Sequence, residues 1–286
     1  MSFNSGSPSP IQPLSLGNVV SAGLRLYRSH LKSYLSLSAI AYLWVLVPVY
    51  GWAKCAATLS LISRLAFGEL VNQPETVEGG RRFINSRVWQ FLVMTLLMFL
   101  ISIGLTIVLI IPFSVLFGVI IGFTAVSSAS GTTPSPTIIL LVALLTLLAI
   151  PLFLIALMWV QARFFVVEVP LAVEDNVDGT STISRSWDLT KGHVWRIIGI
   201  LFVGYLITLP IQLPFSILSI IIQGILQRLA QENSAYTFLS SVCSLVLTLL
   251  SATLVVPFWQ AIKAVVYYDL RSRREGLGLK LRDYEV

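Results

Sequence analysis

The chain is predicted to be all-α and polytopic in a membrane, with about six transmembrane helices in three diverged hairpin repeats and amphipathic helices at the interface. Three observations lead there. Composition is 56% hydrophobic and 11% charged, far from the balance of soluble domains. The 75 residues from Val88 to Ala162 contain no Asp, Glu, Lys or Arg. As a single helix they would reach roughly 110 Å, against a hydrocarbon core of about 30 Å, so the chain must turn back. Finally, short motifs recur: Val88-Trp89-Gln-Phe with Val194-Trp195-Arg-Ile, Ile111-Pro112-Phe-Ser with Leu213-Pro214-Phe-Ser, and Arg163 to Glu168 with Lys263 to Asp269. These echoes define repeats over about 15–70, 76–170 and 180–275.

Residues 1–14 hold no apolar secretory core and no Lys or Arg, and are expected to be a disordered, retained tail. Residues 15–32 form an amphipathic helix after Pro13. Leu16, Val20, Gly23, Leu24, Tyr27 and Leu31 lie on one face, and Asn18, Ser21, Arg25, Arg28 and Lys32 on the other. Basic opposite apolar is the pattern of a helix lying in the membrane interface.

Residues 34–70 follow as a hairpin turning near Pro48 to Gly51, with legs of about 17 residues, the short limit for a span. Two short spans, one kinked span and a re-entrant pair all satisfy this stretch. Lys54 and Arg64 are its candidates for charge at membrane depth, where ionisable groups are costly; snorkelling to an interface is the alternative.

Glu75 to Arg87 places acids first and Arg81, Arg82 and Arg87 later, an order that suits the helix dipole. Val88 opens the second pair of legs, in which Pro112 and Pro151 predict kinks or breaks. Gly118 and Gly122 have the spacing of a close helix contact. The Ser, Thr, Gly and Pro of 127–136 read as the loop between the legs. Asp178 is placed to cap the helix that carries Arg185 and Trp187, and Lys191 follows. The third pair of legs runs from Ile197 to Gln227 and from Asn233 to Ile262 and ends on a basic stretch; 276–286 is a polar tail.

Charge placement sets the sides. If 34–70 is a closed hairpin, segments 1–34, 64–87, 163–196 and 263–286 share one face and hold 17 of the 19 Lys and Arg, leaving Lys54 and Arg228 opposite. The positive-inside rule makes that face, with both termini, cytoplasmic. Trp89, Trp195, Trp159 and Trp259 mark the ends of the legs as an interfacial aromatic belt.

Little in the sequence suggests chemistry. His30 and His193 lack a ligand partner at helical spacing, and Cys55 and Cys243 sit in apolar runs, so no metal site is expected. Neither a nucleophile elbow nor a phosphate-binding loop is present, and no cofactor is expected. The carboxylates fall in loops and at the C-terminus, where Glu168 and Asp269 can pair with nearby Lys or Arg. The net charge of +6 flanks apolar segments and fits an anionic leaflet better than nucleic acid.

The exit Tyr267-Tyr268-Asp269-Leu270-Arg271-Ser272-Arg273-Arg274-Glu275-Gly276 and the opening Leu14-Ser15-Leu16-Gly17-Asn18-Val19-Val20-Ser21-Ala22-Gly23-Leu24-Arg25-Leu26-Tyr27-Arg28 resemble bacterial proteins with the glycerophosphoryl diester phosphodiesterase membrane domain. The resemblance implies a stand-alone membrane part, without the soluble catalytic barrel, and transfers no catalytic position.

The expected function is therefore a non-catalytic multi-pass protein of a bacterial inner membrane, or an internal membrane such as a thylakoid, that binds or organises lipid or scaffolds a membrane protein partner. Arg25, Arg28, Lys32, Arg81, Arg82, Arg185 and Lys191 are its candidate contacts to anionic headgroups. A transporter or channel for a small solute is the alternative; a polar path past Lys54 or Arg64 would favour it.

Overall fold

A computed structural model of the chain describes residues 15–129, 135–230 and 235–276. The predicted N-terminal tail, nearly all of the 276–286 tail and the middle of the 127–136 loop lie outside these residues. Among the described residues the chain is helical throughout, without a strand: α1 (Leu16–Ser29), α2 (Leu31–Trp44), α3 (Tyr50–Leu70), α4 (Val77–Ser86), α5 (Val88–Ala129), α6 (Pro136–Arg163), α7 (Glu168–Val173), α8 (Ser181–Thr190), α9 (Val194–Ala230) and α10 (Ala235–Glu275).

Local chemistry explains where the short helices start. Ser15 Oγ accepts from the Asn18 amide at 3.2 Å at the head of α1, and Thr76 Oγ1 accepts from the Gly79 amide at 3.2 Å at the head of α4. Each satisfies one of the orphan donors of a first turn. Asp178 Oδ1 accepts from the Ser181 amide at 2.7 Å and the Thr180 amide at 3.0 Å where α8 begins.

Four helices are long and apolar enough to cross a membrane, over Val88–Val115, Pro136–Val173, Val194–Leu229 and Ala235–Glu275. Helices α5 and α6 run on past Pro112 and Pro151, where the sequence predicts kinks or breaks, and α9 and α10 run on past Pro210, Pro214 and Pro257, although each proline leaves one helical N–H bond unmade. Hydrocarbon offers no water to bond an interrupted backbone, which favours continuity. Outward they present large apolar side chains: Leu147 is 69% exposed, Ile220 70% and Phe238 74%. Apolar surface of this extent is stable only against lipid or a partner.

The first hairpin differs. Helix α2 has 14 residues and rises about 21 Å, short of the roughly 30 Å hydrocarbon core. Helix α3 is a central strut, packed against α2, α4, α5, α7 and α10, with Leu61, Ile62 and Ala66 almost fully buried. The turn between α2 and α3 is tight: a Cβ on Gly51 would lie 2.0 Å from the Trp44 carbonyl oxygen, so only glycine fits. Its tip folds back, with Tyr50 edge-on to Trp89 at 6.2 Å between ring centroids and Lys54 Nζ donating to Asn85 Oδ1 at 2.7 Å. Lys54 therefore lies beside the segment that leads into α5, not on the opposite face where the charge argument put it.

The core sits at one end, called the base here. It gathers α1, α2, α3 and α7 with the first turns of α5 and α9 and the last turns of α10, around Tyr34, Phe91, Leu171, Ile197, Ile262 and Tyr267. Each pair of legs is preceded by a short helix: α1 before α2 and α3, α4 before α5 and α6, α8 before α9 and α10. Among the described residues nothing lies close to Gly118 or Gly122, so no close helix contact is seen at that spacing.

Candidate functional site

The base is built around helix α7 and its following turn. A helix this short leaves most of its carbonyls without intrahelical partners, and two arginines from distant elements supply them. Arg64 Nη1 donates to the Ala172 carbonyl at 2.8 Å. Arg87 Nη1 donates to those of Leu171 at 3.0 Å and Glu174 at 2.7 Å, and Arg87 Nη2 donates to that of Asp175. The Phe83 ring lies beneath both guanidinium groups, at 3.9 Å from Arg64 and 4.9 Å from Arg87, and Arg64 Nε also binds Glu75 at 2.6 Å. Arg64 thus bonds to α7 and to Glu75, not to α5, α6, α9 or α10.

Carboxylates and cations interlock below α7. Glu168 Oε1 accepts from Lys263 Nζ at 2.5 Å and Gln260 Nε2 at 2.7 Å, and Ser63 Oγ donates to Gln260 Oε1 at 2.5 Å. Glu174 accepts from the Tyr267 hydroxyl and from Arg185 Nε at 3.2 Å. Arg185 also reaches Glu275 at 2.5 Å, which Arg271 holds from its other oxygen at 2.9 Å. Burial works against the Arg185 charge, but Glu174 and Glu275 outweigh it and raise its pKa. Asp269 pairs with Arg273 at 2.9 Å and Arg196 at 3.2 Å. The pairing of Glu168 and Asp269 with nearby cations is as the sequence suggested.

Arg163 is buried, its guanidinium 4.0 Å from the Trp187 ring centroid and 5.2 Å from that of Trp159, and it donates to the Trp187 carbonyl at 3.2 Å. Of the tryptophans read as an interfacial belt, Trp159 thus also faces a cation.

The candidate headgroup contacts divide into two sets. Arg25 and Arg28 on α1, Lys32 at the start of α2, Arg81 and Arg82 on α4, and Lys191 after α8 are exposed. Among the described residues none of their side chains forms an ion pair. Arg185 is instead half-buried in the network with Glu174 and Glu275. Removing one partner of such a pair strands the other, so its first role is structural. His30 lies 3.5 Å from Glu69, and no cluster of metal-ligating side chains occurs among the described residues.

A second polar region escaped the charge-based reading. Along one face of α9 stand Tyr205, Thr208, Gln212, Ser216, Ser219, Gln223 and Gln227; Thr237, Ser240, Ser244, Thr248 and Ser251 answer on α10. Tyr205 donates to Gln161 at 3.3 Å, Gln212 to Thr208 at 3.0 Å, and Gln223 to Ser219 at 2.9 Å and Ser244 at 3.2 Å. Several hydroxyls bond back into their own helix, as Thr248 does to the Ser244 carbonyl at 2.8 Å, a common way to hide a hydroxyl in a helix. The glutamines have no such option. The signal was a three-and-four spacing of neutral polar residues inside an uncharged run, invisible to a count of charges.

Four membrane-length helices on a charged, closely bonded base define a multi-helix membrane protein. The chain belongs to the family described as Domain of unknown function (DUF7847), whose model matches residues 55–270, from within α3 to the last turns of α10. No curated protein and no solved structure matches the chain.

Proposed function

We propose that the chain is a non-catalytic multi-pass membrane protein that binds or organises lipid, resting its base on anionic headgroups. One observation carries this reading: Arg25, Arg28, Lys32, Arg81 and Arg82 are exposed on the short helices around the base and pair with no carboxylate among the described residues, while the inner cations are consumed by internal partners. Each unpaired cation near an anionic leaflet is worth about 1 kcal/mol, so the set forms a patch that membrane surface would neutralise. The carboxylates Glu168, Glu174, Asp269 and Glu275 are each held by cations, which supports a structural role for them.

In the same reading the base faces the cytoplasm of a bacterial cell, following the positive-inside rule. The thrice-repeated order of a short helix and two legs supports three diverged repeats, the first with its legs shortened and drawn into the base. Kinship with the glycerophosphoryl diester phosphodiesterase membrane domain belongs to this proposal and rests on the sequence likeness alone.

The test is lipid analysis of protein purified in native-lipid discs. Wild type should be enriched in anionic lipid, and a variant with Arg25, Arg28, Lys32, Arg81 and Arg82 all changed to Gln should lose that enrichment. Arg185→Gln should lower thermal stability without a selective change in lipid. Equal enrichment in wild type and the five-site variant would overturn the reading.

A further inference from the structure

The polar face of α9 is unusual in its length. From Tyr205 to Gln227 it rises roughly 33 Å, the full thickness of the hydrocarbon core, with a hydrogen-bonding side chain every three or four residues. Polar side chains at that depth are costly unless they have partners. Here they are only partly satisfied: Gln212 and Gln223 bond through Nε2, and the Gln227 amide has no partner among the described residues.

Concavities follow this face in an overlapping row. Nearest the base is a cavity of about 410 Å³ lined by Gln161, Tyr205, Trp259, Gln260 and Lys263 among apolar side chains. Val256 and Trp259 also line the next, of about 560 Å³, which includes Gln212, Ser216, Ser219, Thr248 and Ser251. Thr248 and Ser219's neighbour Gln223 lead into a third of about 500 Å³, with Gln227, Thr237 and Ser244. The outer two are lined by α9 and α10 alone. Two helices make a groove open along its side, not an enclosed channel.

We propose that the α9–α10 groove is a lateral path along which the polar headgroup of a zwitterionic phospholipid crosses the bilayer while its acyl chains stay in the surrounding lipid. This rests on the lipid-handling reading above. The neutral amides and hydroxyls replace hydration at each step without a fixed charge to trap or repel the headgroup. At the base end the path meets Lys263, whose charge Glu168 balances, so no net charge stands at its mouth. The open side leaves room for the chains, which a free solute would not need. A groove filled by a second copy of α9–α10 is the competing occupant.

The test uses the full chain reconstituted in phosphatidylcholine vesicles with a trace of headgroup-labelled fluorescent phosphatidylcholine and a trapped water-soluble dye. Dithionite added outside bleaches only what reaches the outer leaflet. Wild-type vesicles should lose signal beyond the outer-leaflet share while keeping the dye. The double variant Gln223→Leu, Thr248→Leu should slow the second phase by about tenfold or more, from the loss of hydrogen bonds in the outer half of the path; Phe238→Leu, on the lipid-facing surface, should leave it unchanged.

Bleaching confined to the outer leaflet in wild type overturns the proposal without reference to any variant's folding. So does escape of the dye alongside the lipid, which would mean an aqueous pore, and so does an undiminished rate in the double variant. Self-crosslinking of Ser241→Cys with bleaching confined to the outer leaflet would assign the groove to a second copy and also overturn it. Enrichment of anionic lipid at the base is measured separately, so the groove can fail while the surface reading stands.

Discussion

At the scale of single residues the base shows which polar groups carry structure. Asp269 is legible as an ion-pair member because Arg273 lies one helical turn away, whereas the partner of Glu168, Lys263, is 95 residues distant. The caps on α7 are not legible: Arg87 reaches carbonyls 84 to 88 residues away, and nothing in a spacing pattern announces a guanidinium that serves distant backbone. Asp178 is the local counterpart, and the sequence alone placed it. The Ser181 amide, followed by the Thr180 hydroxyl and further bonds to both residues, holds its carboxyl well below the ordinary carboxylate range. The sign follows from linkage. With a folded-state pKa below the unfolded value of about 3.9, the capping contribution is complete above that value and is lost as pH falls through it toward the folded pKa. Amide exchange at the head of α8, corrected for intrinsic rates, should therefore be flat from neutral pH to about 5 and rise below about 4. In Asp178→Asn, which keeps an acceptor oxygen but cannot titrate, the acid step should vanish. The same acid step in both proteins would show that another group controls it.

At the scale of elements, glycine separates contacts that matter from those that only resemble motifs. Gly118 and Gly122 match a packing motif, yet among the described residues nothing lies within 4 Å of a Cβ at either. Gly204 matches none, yet a Cβ there would sit 2.6 Å from the Trp259 ring. That ring cannot swing aside easily, since Tyr205 lies 4.9 Å, Phe258 5.8 Å and Phe165 6.1 Å away between centroids. Gly204→Ala should cost about 1–3 kcal/mol by overpacking, read as a lower unfolding temperature in detergent. Gly104→Ala, with open space around it, should leave that temperature unchanged or raise it slightly, because alanine favours the helix. A similar loss in both would mean that an added methyl group destabilises these long helices wherever it is placed, and that close packing of Gly204 on Trp259 does not set the effect. The polar face of α9 was hidden in the sequence for a related reason: a run without charge reads as uniformly greasy, and the face appears only when neutral polar residues are placed on a helix.

At the scale of the whole molecule, the question is which parts cross. The long legs were legible because hydrocarbon thickness fixes the length of an apolar helix, but the first hairpin was not, since its legs fall where a short span and a buried strut have the same composition. Contacts decide what composition leaves open. Lys54 bonds to Asn85 and Tyr50 meets Trp89, so the tip of the first hairpin shares an end of the molecule with the start of α5. Among the described Lys and Arg only Arg228 is then left at the far end, so the charge asymmetry along the molecule is stronger than the sequence implied. Single cysteines at Lys54, Asp178 and Thr137 test this in a background where Cys243, which is half-buried, is replaced by Ser; Cys55 is buried and can remain. With a membrane-impermeant maleimide, the Lys54 and Asp178 sites should react from one compartment and the Thr137 site from the other. Reaction of the Lys54 site together with Thr137 would mean that α2 and α3 cross the bilayer as a third pair of legs. The base would then lose its central strut to the membrane, and the bonds of Lys54 and Tyr50 would have to break.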